Sequence, residues 1–263
     1  MISKFLIVAS KLDPASRNIL MNLMDLGRFN FSLIEGDILK TENLDLIKIK
    51  EFDFVIFVSK HKSETGEKTL SVHAPGNWKE VWGGGEIGRA CPSSALFFKH
   101  LFCVLNDAKE ESNLKNYSVT MEVTHHGPLI DVPCVFIEVG GGPEEWRDKK
   151  ATFVVAKAVR NAIETWKENP YLEVAVGIGG PHYCPAFNKI QLNSNVAISH
   201  VIPKYASPIT GEFIIESINK TIEEVDFVLL DWKGLGNAEE RDEVVKILEK
   251  NYIQWKKTGE VEK

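Results

Sequence analysis

The segment from Tyr117 to Trp146, YSVTMEVTHHGPLIDVPCVFIEVGGGPEEW, constrains this chain more than any other, because it holds two β-type runs that each end in a polar, glycine-bearing turn. Tyr117 to Thr124 and Val132 to Val139 carry the Val, Ile, Thr, Phe and Tyr content that suits a pleated, buried surface, so both are predicted strands. The first runs into Thr124-His125-His126-Gly127-Pro128 and the second into Gly140-Gly141-Gly142-Pro143. In open α/β sheets ligands bind at the carboxyl ends of strands, where loops meet over the sheet without disturbing its core. Function is therefore expected at these ends.

The rest of the chain repeats the pattern. Lys4 to Ala9, Asp53 to Ser59, Tyr171 to Ile178, Ala197 to Ile202 and Asp226 to Leu230 are short apolar runs that read as buried strands. Asp13-Pro14 supplies an N-cap and a first helical residue for a helix over Ala15 to Leu26. Pro92 to Leu105 reads as a buried helix that begins at its proline, and Ala151 to Trp166 as an amphipathic helix. Ser207-Pro208 opens another, and Asn237 with Glu240 three residues on caps a last one, after which the tail beyond Ile253 is expected to fray. Strands alternating with helices predict a three-layer α/β/α fold with a mixed, mainly parallel sheet. At roughly 100 to 200 residues per domain, the 263 residues are expected to form one elaborated domain, 1–263. An inserted subdomain is expected at approximately 60–92. Lys60 to Lys68 reads there as a polar loop, and Ser71 to Arg89 is too rich in Gly and Pro for a continuous element.

A hydrophobic fraction of 44% and a charged fraction of 26% are those of a globular chain. No apolar segment approaches the ~20 residues of a membrane span and the N-terminus lacks a signal-peptide layout, so a cytoplasmic protein without membrane attachment is expected. Cys91, Cys103, Cys134 and Cys184 show no CxxC spacing and read as free buried thiols. With a net charge of −6, any nucleic-acid contact needs a local basic patch, for which Lys60-His61-Lys62 with Lys68, and Arg147 with Lys149, Lys150 and Lys157, are the candidates.

Five of the seven histidines, His73, His125, His126, His182 and His200, lie in or beside expected strand-end loops. Imidazole suits proton transfer near neutral pH and zinc ligation, so their convergence would indicate hydrolysis. Glu86, Glu138 and Asp231 are available carboxylates. Strand alternation from Met121 puts His125 and His126 on opposite faces and predicts that they diverge. The glycine runs at 83–85, 140–142 and 179–180 permit close backbone approach, and their amides are expected to cradle an oxyanion. No HExxH, GxSxG, GxGxxG or GxxxxGK[ST] motif occurs, which argues against a zinc-protease helix, a serine elbow and a nucleotide cofactor. A metallopeptidase, a nucleoside phosphorylase and a non-catalytic RNA-binding module stay open on these residues alone.

Taken together, HAPGNW at His73, GGGEIGRA at Gly83, TMEVTHHGP at Thr120, FIEVGGGPEEW at Phe136, GGPHYCPAF at Gly179 and HVIPKYA at His200 resemble the archaeal- and plant-type D-aminoacyl-tRNA deacylases. The resemblance extends from the first strand to DWKGL at Asp231. It implies a phosphorylase/hydrolase-like core similar to peptidyl-tRNA hydrolase, zinc as cofactor, and an aminoacyl-tRNA substrate whose ester to a D-amino acid or glycine is cleaved by a monomer or small homo-oligomer. On that resemblance His125, His182 and Glu138 are expected to be catalytic. His73, Trp78, Gly140, Gly141, Gly180 and Lys204 are expected to meet substrate, with Trp78 or Trp82 stacking on the terminal adenine. His73, Glu86, His126 and His200 are the expected metal ligands. Two schemes are compatible with this set, water activated by the metal or by the 2'-hydroxyl of the terminal ribose.

Overall fold

Two apolar runs, Phe5–Ser10 (β1) and Phe54–Lys62 (β3), supply the middle of a six-stranded sheet, because every residue of β1 and the first six of β3 are buried. The computed structural model describes residues 2–42 and 49–262. The other strands of this sheet are Phe31–Ile34 (β2), Thr69–His73 (β4), Ser118–Met121 (β7) and Cys134–Gly141 (β8), in the order β2-β1-β3-β8-β4-β7. All its pairings are parallel except β4 with β8. A second, wholly parallel sheet orders Val196–Ile202 (β10), Glu173–Ile178 (β9), Phe227–Leu230 (β11) and Trp255–Lys257 (β12). A small antiparallel ribbon joins Gly76–Asn77 (β5) to Arg89–Ala90 (β6).

The expected mixed, mainly parallel arrangement is present, divided between two sheets. Helices lie on both sides. Pro14–Leu26 (α1), Ala95–Glu111 (α2) and Lys149–Thr165 (α3) enclose the principal core, and Pro185–Asn193 (α4) joins it through Phe187 and Ile190. Gly211–Asn219 (α5) and Ala238–Lys250 (α6) cover the second sheet through Ile214, Val244 and Leu248. The caps follow the sequence: Asp13 accepts from the Ser16 amide, and Asn237 with Glu240 closes a capping box. Helix α2 starts two residues after Pro92, at the Ser94 cap whose side chain accepts from Phe97. Among the described residues no helix is long and apolar enough to cross a membrane.

Several local expectations are corrected. The tail after Ile253 does not fray at once, because Trp255–Lys257 pairs in parallel with β11 and Trp255 stacks with Trp232. Lys60, His61 and Lys62 belong to a strand and not to a loop, since Val139, Gly140 and Gly141 of β8 stand opposite them in register. Within 60–92, Thr69–His73 is an interior strand of the large sheet. The loop that follows is held by close backbone approach: a Cβ on Gly84 would stand 2.1 Å from the Leu39 carbonyl, and one on Gly127 would stand 2.3 Å from Gly84.

Residues 122–124 form the seam between the sheets. Beyond β7 the Glu122 amide donates to Val72 of β4, that of Val123 to His182, and that of Thr124 to Val201 of β10. The chain leaves one sheet and enters the edge of the other within three residues, and the groups it carries there are Glu122, His125 and His126.

Candidate active site

Glu122 is fully buried, and three imidazoles converge on one of its oxygens: His182 Nε2 at 3.2 Å, His61 Nδ1 at 3.3 Å and His125 Nε2 at 3.4 Å from Oε2. His73, on the last residue of β4, places Nε2 3.5 Å from Glu138 Oε2, while the other Glu138 oxygen accepts from the Ser59 hydroxyl at 2.6 Å. His126 stands edge-on to His73 with ring centres 4.7 Å apart. Five histidines and two glutamates, from β3, β4, β8, the seam and the loop after β9, thus share one centre.

The tautomers are largely dictated by the backbone. Nδ1 of His125 faces the Val123 carbonyl at 2.9 Å, Nδ1 of His126 the Gly127 carbonyl at 2.6 Å, and Nδ1 of His73 the Ala74 carbonyl at 3.2 Å. A carbonyl only accepts, so each Nδ1 carries the proton and Nε2 points inward. Burial, then the neighbouring imidazoles His73, His126 and His182, hold His125 well below the ordinary imidazole range, so its inner nitrogen is a bare lone pair. Burial and His73 likewise press His126 down to about 4. Burial alone would raise the Glu122 carboxyl, but the hydrogen bond from His182 and the charges of His61, His73 and His182 outweigh it and keep it ionised well below its usual range. Glu138 is also lowered, burial being outweighed by His73, and His73 is raised because Glu138 outweighs its burial.

These assignments set acceptor against acceptor. The lone pair of His125 faces an ionised carboxylate oxygen at 3.4 Å. Glu122 Oε1 is moreover buried without a hydrogen-bond partner, and His73 Nε2 and Glu138 Oε2, 3.5 Å apart, have no partner other than each other. Orphaned buried acceptors are costly, and a cation held among them removes the conflict. The same residues make three overlapping groupings whose candidate ligand atoms lie within 4.8 Å of one another: His61, Glu122, His125 and His182; His73, His125 and His126; and His73, Glu122 and Glu138. An imidazole and carboxylate set of this kind suits zinc.

Two cavities open onto the centre. A cleft of about 720 Å³ is lined by His61, Thr120, His182 and Tyr183, and a smaller pocket of about 260 Å³ by Asn77, Thr124, His125 and His126. Trp82 and Tyr205 border both.

Of the residues expected from sequence, His73, His125, His126, Glu138 and His182 meet here. The expected divergence of His125 and His126 does not occur: their ring centres are 4.4 Å apart. The regular β7 ladder ends at Met121, and His126 takes φ +46°, so the two-residue alternation no longer governs where these side chains point. His200 lies outside the groupings, its Nδ1 3.3 Å from the Thr124 hydroxyl and its Nε2 3.3 Å from the Lys220 carbonyl, which engages both nitrogens. Glu86 is exposed on the loop before β6 and joins no grouping. Trp78 is 4% exposed and donates to the Val201 carbonyl, whereas Trp82 is 56% exposed. Of the glycine amides expected to cradle an oxyanion, four are engaged within the fold: Gly85 donates to Glu42, Gly142 to Glu145, Gly179 to Ile202 and Gly180 to Gly234. Gly140 and Gly141 lie in the sheet opposite His61 and Lys62, and a Cβ on Gly140 would fall 1.9 Å from Thr69 Oγ1, so strand contact explains that glycine. Lys204 is exposed, and its amide donates to Gly180.

Sequence reasoning passed over His61 and Glu122. The available signals were the strand period that puts His61 on the face of Ser59, and an acidic residue embedded in an otherwise strand-like run, where a buried charge demands partners.

Fold and site together define an α/β protein with a buried imidazole and carboxylate centre open to a cleft, the layout of a hydrolase. Residues 48–256 match the family model of D-aminoacyl-tRNA deacylase. The chain is 34% identical to the D-aminoacyl-tRNA deacylase of Methanocaldococcus jannaschii, over 97% of its own length and 99% of the relative's. It is 36% identical to that of Picrophilus torridus, over 87% and 90%. A crystal structure described as a conserved protein of unknown function superposes with a TM-score of 0.89 at 28% identity, covering 98% of this chain and 96% of the other. This chain belongs to the D-aminoacyl-tRNA deacylase family.

Proposed function

We propose that the Glu122 centre is where this chain hydrolyses the ester joining a D-amino acid to tRNA, and that it does so with a bound zinc ion. The observation that carries the reading is the convergence of His61, His125 and His182 on Glu122 Oε2, with Glu122 Oε1 buried and unpartnered and the His73–Glu138 pair beside it. Zinc held by these residues would polarise the ester carbonyl and lower the pKa of water at the site. The three histidines locked by main-chain carbonyls are the ligand type, with inner nitrogens fixed before any ion arrives. His182 sits at the cleft with 29% of its side chain exposed and its Nε2 on Glu122, which places it to carry a proton between the ester and that carboxylate. The larger cleft is suited to the 3'-terminal nucleoside and the smaller pocket to the aminoacyl group, with Trp82 and Tyr205 at their junction.

The test compares deacylation of matched D- and L-aminoacyl-tRNA by the intact chain, before and after chelation, with Glu122→Gln alongside. Preference for the D form, lost on chelation, restored by zinc and reduced at least ~100-fold in the variant, is the expected result. Activity indifferent to both chelation and Glu122→Gln would remove this centre from the reaction, and equal turnover of both hands would remove the chiral substrate.

A further inference from the structure

The five imidazoles divide by what holds the outer nitrogen. Main-chain carbonyls hold His73, His125 and His126. Phenol hydroxyls hold the two at the cleft: Tyr183 lies 3.1 Å from His61 Nε2, and Tyr205 lies 3.3 Å from His182 Nδ1. The opposite nitrogens of these same rings are the ones that face Glu122 Oε2. Tyr183 is itself fixed, donating to the Ser63 hydroxyl at 3.2 Å, and the Ser63 amide is anchored on the Gly141 carbonyl at 3.1 Å. With its proton committed to Ser63, the Tyr183 oxygen accepts from His61 Nε2, and the Nδ1 lone pair is left pointing inward. Both phenols line the larger cleft, and Tyr205 lines the smaller pocket as well.

We propose that Tyr183 and Tyr205 are positioning residues of this centre, each hydroxyl holding the outer nitrogen of a cleft-facing imidazole so that the inner nitrogen is presented to Glu122 Oε2. The catalytic consequence rests on the reaction proposed above; the orienting role stands on the hydrogen bonds themselves. A hydroxyl, unlike a carbonyl, both donates and accepts, so His61 and His182 keep the freedom to change proton position that His73, His125 and His126 have lost. Partners of this outer kind typically matter 10- to 100-fold in metal affinity or activity.

The experiment uses the full chain and the variants Tyr183→Phe, Tyr205→Phe and Ser63→Ala. Ring nitrogen NMR of His61 and His182 is recorded on cation-free protein at about pH 8, above the ordinary imidazole range. Zinc affinity is measured by chelator competition, and kcat and KM are measured on D-aminoacyl-tRNA. The wild type is expected to hold His61 as the Nε2–H tautomer. Tyr183→Phe mixes the tautomers, and Ser63→Ala shifts them toward Nδ1–H, because the Tyr183 proton then turns to His61. Each phenylalanine variant is expected to lose zinc affinity about 10- to 100-fold and to lose kcat with little change in KM. Ring spectra that stay at wild type in both phenylalanine variants overturn the proposal whatever zinc does. A wild type that binds no zinc overturns the cation reading of the centre instead, and the ring spectra still decide this one.

Discussion

Thr124 and Val201 exchange two hydrogen bonds: the Thr124 amide donates to the Val201 carbonyl at 3.0 Å, and the Thr124 hydroxyl accepts from the Val201 amide at 3.0 Å. The proton of that hydroxyl is then available to His200 Nδ1. One threonine thus continues a strand ladder across the gap between the sheets, at the residue before His125 and beside the irregularity in β10 between Ile198 and Val201. Thr124→Val keeps the shape and removes the acceptor. The unpaired Val201 amide should cost about 1 to 3 kcal/mol. Urea unfolding should show a lower midpoint at an unchanged slope, and a wild-type midpoint would mean that the seam does not depend on this bond.

Glu122→Gln should cost both stability and function. The hydrogen bond from His182 and the charges of His61, His73 and His182 outweigh burial and hold the Glu122 carboxyl well below its usual range, so the ionised side chain stabilises the cation-free fold above the ordinary carboxyl range and that contribution is lost as pH falls. The cation-free variant should therefore melt below wild type near neutral pH, and its zinc affinity should fall as well. A cation-free variant that melts at or above the wild-type temperature would show that the repulsion between this carboxylate and the His125 lone pair dominates instead.

Acid should unfold this protein partly through His200. Burial presses this imidazole down to about 4, outweighing the Lys220 carbonyl that favours its charge. In the unfolded chain it titrates near 6.5. Between those values the unfolded chain binds a proton that the folded one refuses, so stability rises with pH across the window and is lost as pH falls through it, by about 3 kcal/mol in full. In His200→Gln, which keeps a donor for Lys220, the fall in urea midpoint from about pH 7 to about pH 4.5 should be smaller than in wild type. An equal fall would place the acid sensitivity elsewhere, His126 being the next group with the same shift.

The two loop tryptophans should behave in opposite ways. Trp78 packs on Phe213 and is 4% exposed, so Trp78→Ala should lower stability by about 3 to 5 kcal/mol. Trp82, 56% exposed at the junction of the two cavities, should cost little stability. Trp82→Ala should instead raise KM for aminoacyl-tRNA about 10- to 100-fold if a base stacks on it, a contact worth about 1 to 3 kcal/mol. An unchanged KM would remove Trp82 from substrate contact.

Much of the architecture was legible in the chain. Buried runs such as FLIVA and DFVLL are strands for want of any other use for β-branched residues at that spacing, and Asp13, Asn237 and Glu240 announce their caps locally. Strands without an apolar signature were not legible. Phe31–Ile34 and Trp255–Lys257 are short edge strands, half exposed, and Thr69–His73 reads as loop until β8 and β7 flank it.

Read alone, the chain points to strand ends for His73, His125, His126 and His182, because the apolar runs beside them give way to glycine- and proline-bearing turns. Which side chains meet was settled by folding. His61 joins the centre because β3 extends beside Gly140, Glu122 because the seam buries it, and His200 is excluded because Thr124 and Lys220 engage its ring. Those outcomes depend on pairings between residues tens of positions apart, and a local pattern carries no record of the register in which distant strands come together.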